Sequence, residues 1–201
     1  LWASGANVTA YDGRRHGTVP VNRTPSKVIN LSLGGYVPNT TQVRQLCQFY
    51  GQIASLARKR GSTIVAAAGN NGSNHAYNVP SVCPGFIAVA ATDTNGNRAS
   101  FSNYGRGIDV AAPGVNIMST YNNGPQAPGS PTSAAHQGTS LATPAVAATA
   151  ALAYSVGITN PDVVERVLKA TARRSGSCTA AQCGSGVVSA YNVLMAKAPT
   201  R

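Results

Sequence analysis

Acidic residues are scarce in this sequence: five Asp and Glu stand against sixteen Lys and Arg in 201 residues, for a formal net charge of +11. Such an imbalance raises nucleic-acid binding as one reading. The basic residues are dispersed, however, apart from "RKR" at 58–60 and Arg pairs at 14–15 and 173–174. "LARKRG" reads as a helix end followed by glycine, where cations favour the C-terminal dipole. Zinc-finger, RNP and P-loop patterns are missing, so nucleic acid is not an expected partner. An apolar run long enough to cross a bilayer is missing too, and no membrane partner is expected. There are no repeats and no linker. The chain opens on Leu1 with no basic n-region or signal peptide, as a processed or truncated chain would.

What is present suits one domain over residues 1–201, with 43% hydrophobic content to fill a core. The cysteine count, four, is even. "CTAAQC" (178–183) lacks a matching Cys/His pair for zinc, so a local Cys178–Cys183 disulfide is expected, with Cys47 and Cys83 forming the second. Disulfides imply an oxidising compartment, hence a secreted protein. The alternative is four buried free thiols in a cytosolic chain.

"SKVINLSLGG" predicts a core strand from Ser26 to Ser32 that ends at two glycines. Asn39 then caps a helix, with Gln42 three residues on. Val43, Leu46, Cys47, Tyr50, Ile53, Ala54 and Ala57 follow at helical spacing. Buried strands are expected at 62–69, 85–92 and 107–114, with another at 116–120. A small-residue helix runs from Ser140 to Val156. A last helix starts at Asn160 and Pro161. Strands alternating with helices predict a parallel sheet covered on both faces.

"GTSLATP" (138–144) places Ser140 at a helix start, beside free backbone N–H groups and the positive end of the dipole. That suits a nucleophile whose transition state gathers negative charge. A helix cap is the plainer reading of one such serine. Four segments in order change the balance: "INLSLGG" (29–35), "VAAAGNNG" (65–72), "SFSNYGRGIDVAAPG" (100–114) and "GTSLATPAVA" (138–147). Together they resemble the subtilisin-like serine proteases. "LWASG" (1–5), Cys47, "PSVC" (80–83) and "CTAAQC" look like the secreted, disulfide-bearing bacterial branch of that family. "GSGVVSA" (184–190) looks like its closing strand.

The resemblance implies a three-layer α/β fold with a mostly parallel sheet flanked by helices. The chain would be the C-terminal portion of one catalytic domain, its N-terminal part lying outside these residues. It implies Ser140 as nucleophile and Asn70 as oxyanion donor. Ser32, Leu33 and Gly34 would receive substrate as an added β-strand. Gly34, Gly35, Ala68 and Gly69 would wall the pocket for the P1 side chain, whose floor falls in the uninformative stretch 70–79. The carbonyls of Pro80 and Val82 and the carboxylate of Asp109 would hold Ca²⁺, with waters completing the shell.

Asp12 and His16 precede Ser140 in an order that a catalytic triad can take. They are nonetheless expected to be a decoy. In the family, His-Gly-Thr leads into a buried helix; here Pro20 and Pro25 follow within nine residues of His16 and forbid one. The family's Asp and His also precede the segment that "LWASG" resembles. His75 reads as a surface-loop residue and His136 as part of a Gly/Pro/Ser-rich loop. Ala145 and Ala148 replace a His and a Gly of the usual pattern, and Leu141 a Met.

The expected function is therefore secreted serine endopeptidase, acting on peptide and protein substrates. Its Asp and His would come from a separate N-terminal segment of the same domain, as in a nicked two-chain enzyme. The alternative is a catalytically inactive domain that binds peptides or a partner.

Overall fold

The computed structural model describes residues 1–11 and 16–196. Asp12 lies outside the described residues. The backbone on either side of it forms a short antiparallel pair, β1 (Thr9–Tyr11) and β2 (His16–Thr18). His16 thus opens a strand, not a helix.

The centre is a parallel sheet ordered β3 (Val28–Leu31), β5 (Thr63–Ala67), β7 (Ile87–Thr92), β8 (Val110–Pro113). Every residue of β5 and β7 is buried, as continuous apolar strands in a two-sided sheet should be. Their side chains alternate between faces with period two. Val65, Ile87, Val89, Val110 and Ala112 point to the face covered by helices α2 (Thr139–Ser155), α3 (Pro161–Thr171) and α5 (Ala190–Met195). Ile64 and Ala66 point to the face covered by α1 (Thr40–Lys59). The expected three-layer α/β architecture is what the chain adopts.

Asn39 caps α1 through its side chain, which accepts from the N–H groups of Thr41 and Gln42. Asn160 does the same for α3, with Pro161 at its first position. Both disulfides form, Cys47–Cys83 and Cys178–Cys183. The first ties α1 to the loop before β7. The second encloses the one-turn α4 (Ala180–Cys183).

Among the described residues β3 is outermost in the four-stranded sheet, where Asn30 on it is exposed. Two expectations are corrected. Residues 116–120 belong to β9 (Ile117–Asn122), which leaves the central sheet and pairs with β10 (Pro131–His136) in an exposed hairpin. "GSGVVSA" is not a strand: Val187 makes isolated bridges to Ala111 and Arg173. A small antiparallel pair, β4 (Gly35–Tyr36) with β6 (Asn78–Val79), stands beside the carboxyl ends of β3 and β5.

Candidate active site

Ser140 is the second residue of α2, half-buried at the end of the parallel sheet. Gly138 precedes the helix at φ 155°, ψ 157°, a backbone conformation confined to glycine. It starts the helix without a side-chain cap, so the first N–H groups are available to other partners. Thr139 N–H donates to Asn70 Oδ1 at 2.8 Å, and the Thr139 hydroxyl donates to the same oxygen at 2.9 Å. The next N–H, that of Ser140, has no protein acceptor among the described residues.

Asn70 follows β5 on a tightly held turn. Thr139 can only give protons to Asn70 Oδ1 along these bonds, so the amide orientation is fixed and Nδ2 faces the helix entrance. A Cβ placed on Gly138 would lie 3.4 Å from that Nδ2. The turn is pinned by the fully buried Asn103. Asn103 Oδ1 accepts from the N–H groups of Asn71 and Ser73, and its Nδ2 donates to the Ala68 carbonyl. A side chain at Gly69 (φ +99°) would strike both Asn103 and Asn78.

Ser32, Leu33, Gly34, Gly69, Asn70 and Ser140 line one cleft of about 500 Å³, together with Tyr36, Asn78 and Thr139. Gly35 and Ala68 do not line it. Gly35 faces open space on β4, and Ala68 is fully buried with Ala67 at the cleft in its place. A larger cavity, about 750 Å³, lies elsewhere, between the end of α1 and the start of α3. Its Arg58 is already paired with Asp162 and Glu165.

The calcium ligands fare differently. Asp109 Oδ2 accepts from the Ala88 N–H at 2.7 Å, and Oδ1 pairs with Lys169 at 2.6 Å. Burial pushes the Asp109 carboxyl up, and the bonds from Lys169 and Ala88 offset that only in part. Burial would lower the Lys169 ammonium, but its bonds to Asp109 and Glu165 prevail and raise it. The Pro80 carbonyl accepts from Cys83 N–H in a turn. A divalent cation would have to displace the lysine, so Pro80, Val82 and Asp109 as they stand do not fit Ca²⁺.

Neither described histidine side chain lines the cleft. His136 packs against Tyr121 in the hairpin, ring centroids 5.1 Å apart and the planes tilted by 48°. His75, expected on the surface, is completely buried beside Ser81. Burial lowers its pKa to about 4, so its ring is neutral near pH 7. Sequence reasoning also passed over Thr139, Asn103 and Asn78. The quoted motifs contain Thr139 and Asn103, but only the folded chain brings their partners to them.

A serine at a helix start, an oriented asparagine beside it and a sheet-end cleft now stand together. A model of the subtilase family matches residues 8–186. The chain belongs to the subtilase family. It is 43% identical over 192 residues to an extracellular protease of Xanthomonas campestris, covering 94% of this chain and 30% of that protein. It is 43% identical over 164 residues to subtilisin BL of Lederbergia lenta, covering 81% of this chain and 54% of that one. The solved structure described as proteases from Pseudoalteromonas arctica superposes with TM-score 0.81 at 39% identity, over 97% of this chain and 56% of that one. This subtilase chain thus spans just over half of two of these proteins and less than a third of the other. Ala145 and Ala148, its departures from the usual helix pattern, are both exposed on α2 and cost no packing among the described residues.

Proposed function

We propose that this chain is the nucleophile-bearing part of a secreted serine endopeptidase. Ser140 Oγ attacks the scissile carbonyl, and the oxyanion is received by Asn70 Nδ2 and the Ser140 N–H. The observation that carries this reading is the Thr139–Asn70 pair of hydrogen bonds, which holds Asn70 Oδ1 away and leaves the donor end toward the serine. Ser32 to Gly34, along the cleft, receive the substrate backbone as an added strand. Because a serine without a base is a weak nucleophile, the Asp and His come from an N-terminal segment of the same domain, packed against the free edge of β3. The extracellular and subtilisin names of the relatives, and the disulfides, support a secreted peptidase. Among the described residues no helix is long and apolar enough to cross a membrane.

The second reading is a domain that binds peptide strands without cleaving them. It is favoured by the cleft's having no histidine among the described residues that line it. Fluorophosphonate labelling of the native protein, with the modified residue mapped by mass spectrometry, separates the two. Labelling at Ser140 supports the assembled protease. Folded, uninhibited protein that stays unlabelled supports the binding module.

A further inference from the structure

Asn103 does not line the cleft, yet it grips the chain on both sides of Asn70. It comes from the loop between β7 and β8 and is completely buried. Its Nδ2 donates to the Ala68 carbonyl at 2.8 Å, and its main-chain N–H donates to the Gly69 carbonyl at 3.0 Å. Its Oδ1 accepts from the N–H groups of Asn71 and Ser73, each at 3.0 Å. Two flanking bonds, from Gly72 N–H to the Phe101 carbonyl and from Tyr104 N–H to the Ser73 carbonyl, lay the rest of the turn along the same loop.

The position calls for an asparagine. It needs a donor for one carbonyl and an acceptor for two N–H groups at the tip of one short side chain. Aspartate would set an oxygen against the Ala68 carbonyl in place of the donor. Glutamine would add a methylene where there is no room. Space is so tight that a Cβ on Gly69 would overlap Asn103 Nδ2.

We propose that Asn103 is a positioning residue for the oxyanion site. Thr139 holds the tip of the Asn70 side chain, and Asn103 holds the backbone that carries it. The inference rests on the peptidase reading of Ser140 and Asn70. An oxyanion donor acts by standing in place before charge develops. A turn released from Asn103 would let Asn70 Nδ2 drift, and a misplacement of about 1 Å at such a group costs rate.

The test is steady-state peptide hydrolysis by the native protein, with Asn103→Ala and the near-isosteric Asn103→Asp each made in the wild-type and the Asn70→Ala backgrounds. In wild type each lowers kcat by about ten- to a hundredfold, while KM moves by less than about threefold. In Asn70→Ala the same substitutions cost less than about twofold, because the group they misplace is gone. Equal losses in both backgrounds, a raised KM at unchanged kcat, or folded variants with wild-type kcat would each overturn the role of Asn103. Amide exchange on the wild-type protein tests the grip without any variant. The Asn71 and Ser73 N–H groups exchange slowly, and free exchange at both would overturn the proposal even if neither variant folds. Fluorophosphonate labelling separates the two ways of failing. A labelled Ser140 with equal losses defeats Asn103 alone. A folded wild type that neither labels nor hydrolyses peptide defeats the peptidase reading, and the role of Asn103 with it.

Discussion

Ser32 and Ser140 lie 108 residues apart and are joined by a hydrogen bond of 2.7 Å, from the Ser32 hydroxyl to the Ser140 carbonyl. The sequence explains why that carbonyl is free. Its helical partner would be the N–H of residue 144, and Pro144 has none. Ser32 fills the gap, and Asn30 donates to Ser32 Oγ from one turn of strand earlier. The end of β3, where substrate is proposed to lie, is thus tied to the backbone of the proposed nucleophile.

Removing that tie should loosen both. Ser32→Ala should cost about 1–2 kcal/mol of stability in urea unfolding, the loss expected when a carbonyl is orphaned in a half-buried site. Pro144→Ala restores a helical donor to Ser140. In that background the same Ser32 substitution should cost markedly less, and equal costs in both backgrounds would rule out the coupling.

Asn70 and Thr139 should separate by size of effect. On the proposed reading, Asn70→Ala removes the oxyanion donor and should slow peptide hydrolysis by the native protein by two to three orders of magnitude, about 2.7–4 kcal/mol, with kcat falling far more than KM changes. Thr139→Val removes the hydroxyl bond to Asn70 Oδ1 but keeps the backbone N–H bond that orients the amide, and a loss of no more than roughly tenfold is expected. If Thr139→Val were as damaging as Asn70→Ala, with stability unchanged, the division of labour would be wrong.

His75 makes stability depend on mildly acidic pH. Its folded pKa of about 4 lies below the ordinary value of 6.5. Between those pH values the unfolded chain binds a proton that the folded chain refuses. Stability is therefore fully retained above about pH 6.5 and falls as pH drops toward 4, by about 3 kcal/mol from this group. Urea midpoints measured across that window should fall for wild type and fall less steeply for His75→Gln, which keeps a donor for Ser81. Parallel pH profiles would remove His75 as the cause.

Lys169 takes the place at Asp109 that a metal was expected to hold. Lys169→Met should destabilise the chain by about 1–2 kcal/mol, discounted for the partial exposure of the pair. The melting temperature of the wild-type chain should not move when calcium is added or chelated. A calcium-dependent rise would reinstate the metal.

Much of this could be read from residue order. Continuous apolar runs placed the central strands and helical spacing placed the helix after Asn39, because burial on two faces or on one must show in the sequence with the geometry of the element. Asn39 and Asn160 announced their helices, since a cap acts on its own neighbours within three residues. The motifs containing Asn70 and Ser140 supplied two candidates that the fold brings to one cleft, and Pro20 and Pro25 correctly kept His16 out of a helix.

What the sequence alone determined was local: element types, caps, the helix that begins at Ser140 and a cysteine set suited to two bridges. What only the tertiary structure decided was long-range. His75 sits among turn formers that read as surface, yet the fold closes over it. Asp109 was a plausible metal ligand until Lys169, on a helix sixty residues later in the chain, reached its carboxylate. Asn78 was one polar residue in an uninformative stretch until β4 and β6 paired and set it between Gly34 and Gly69. The physical reason is common to all three: periodicity reports which face of an element is buried, whereas which atoms meet is settled only by how the elements pack.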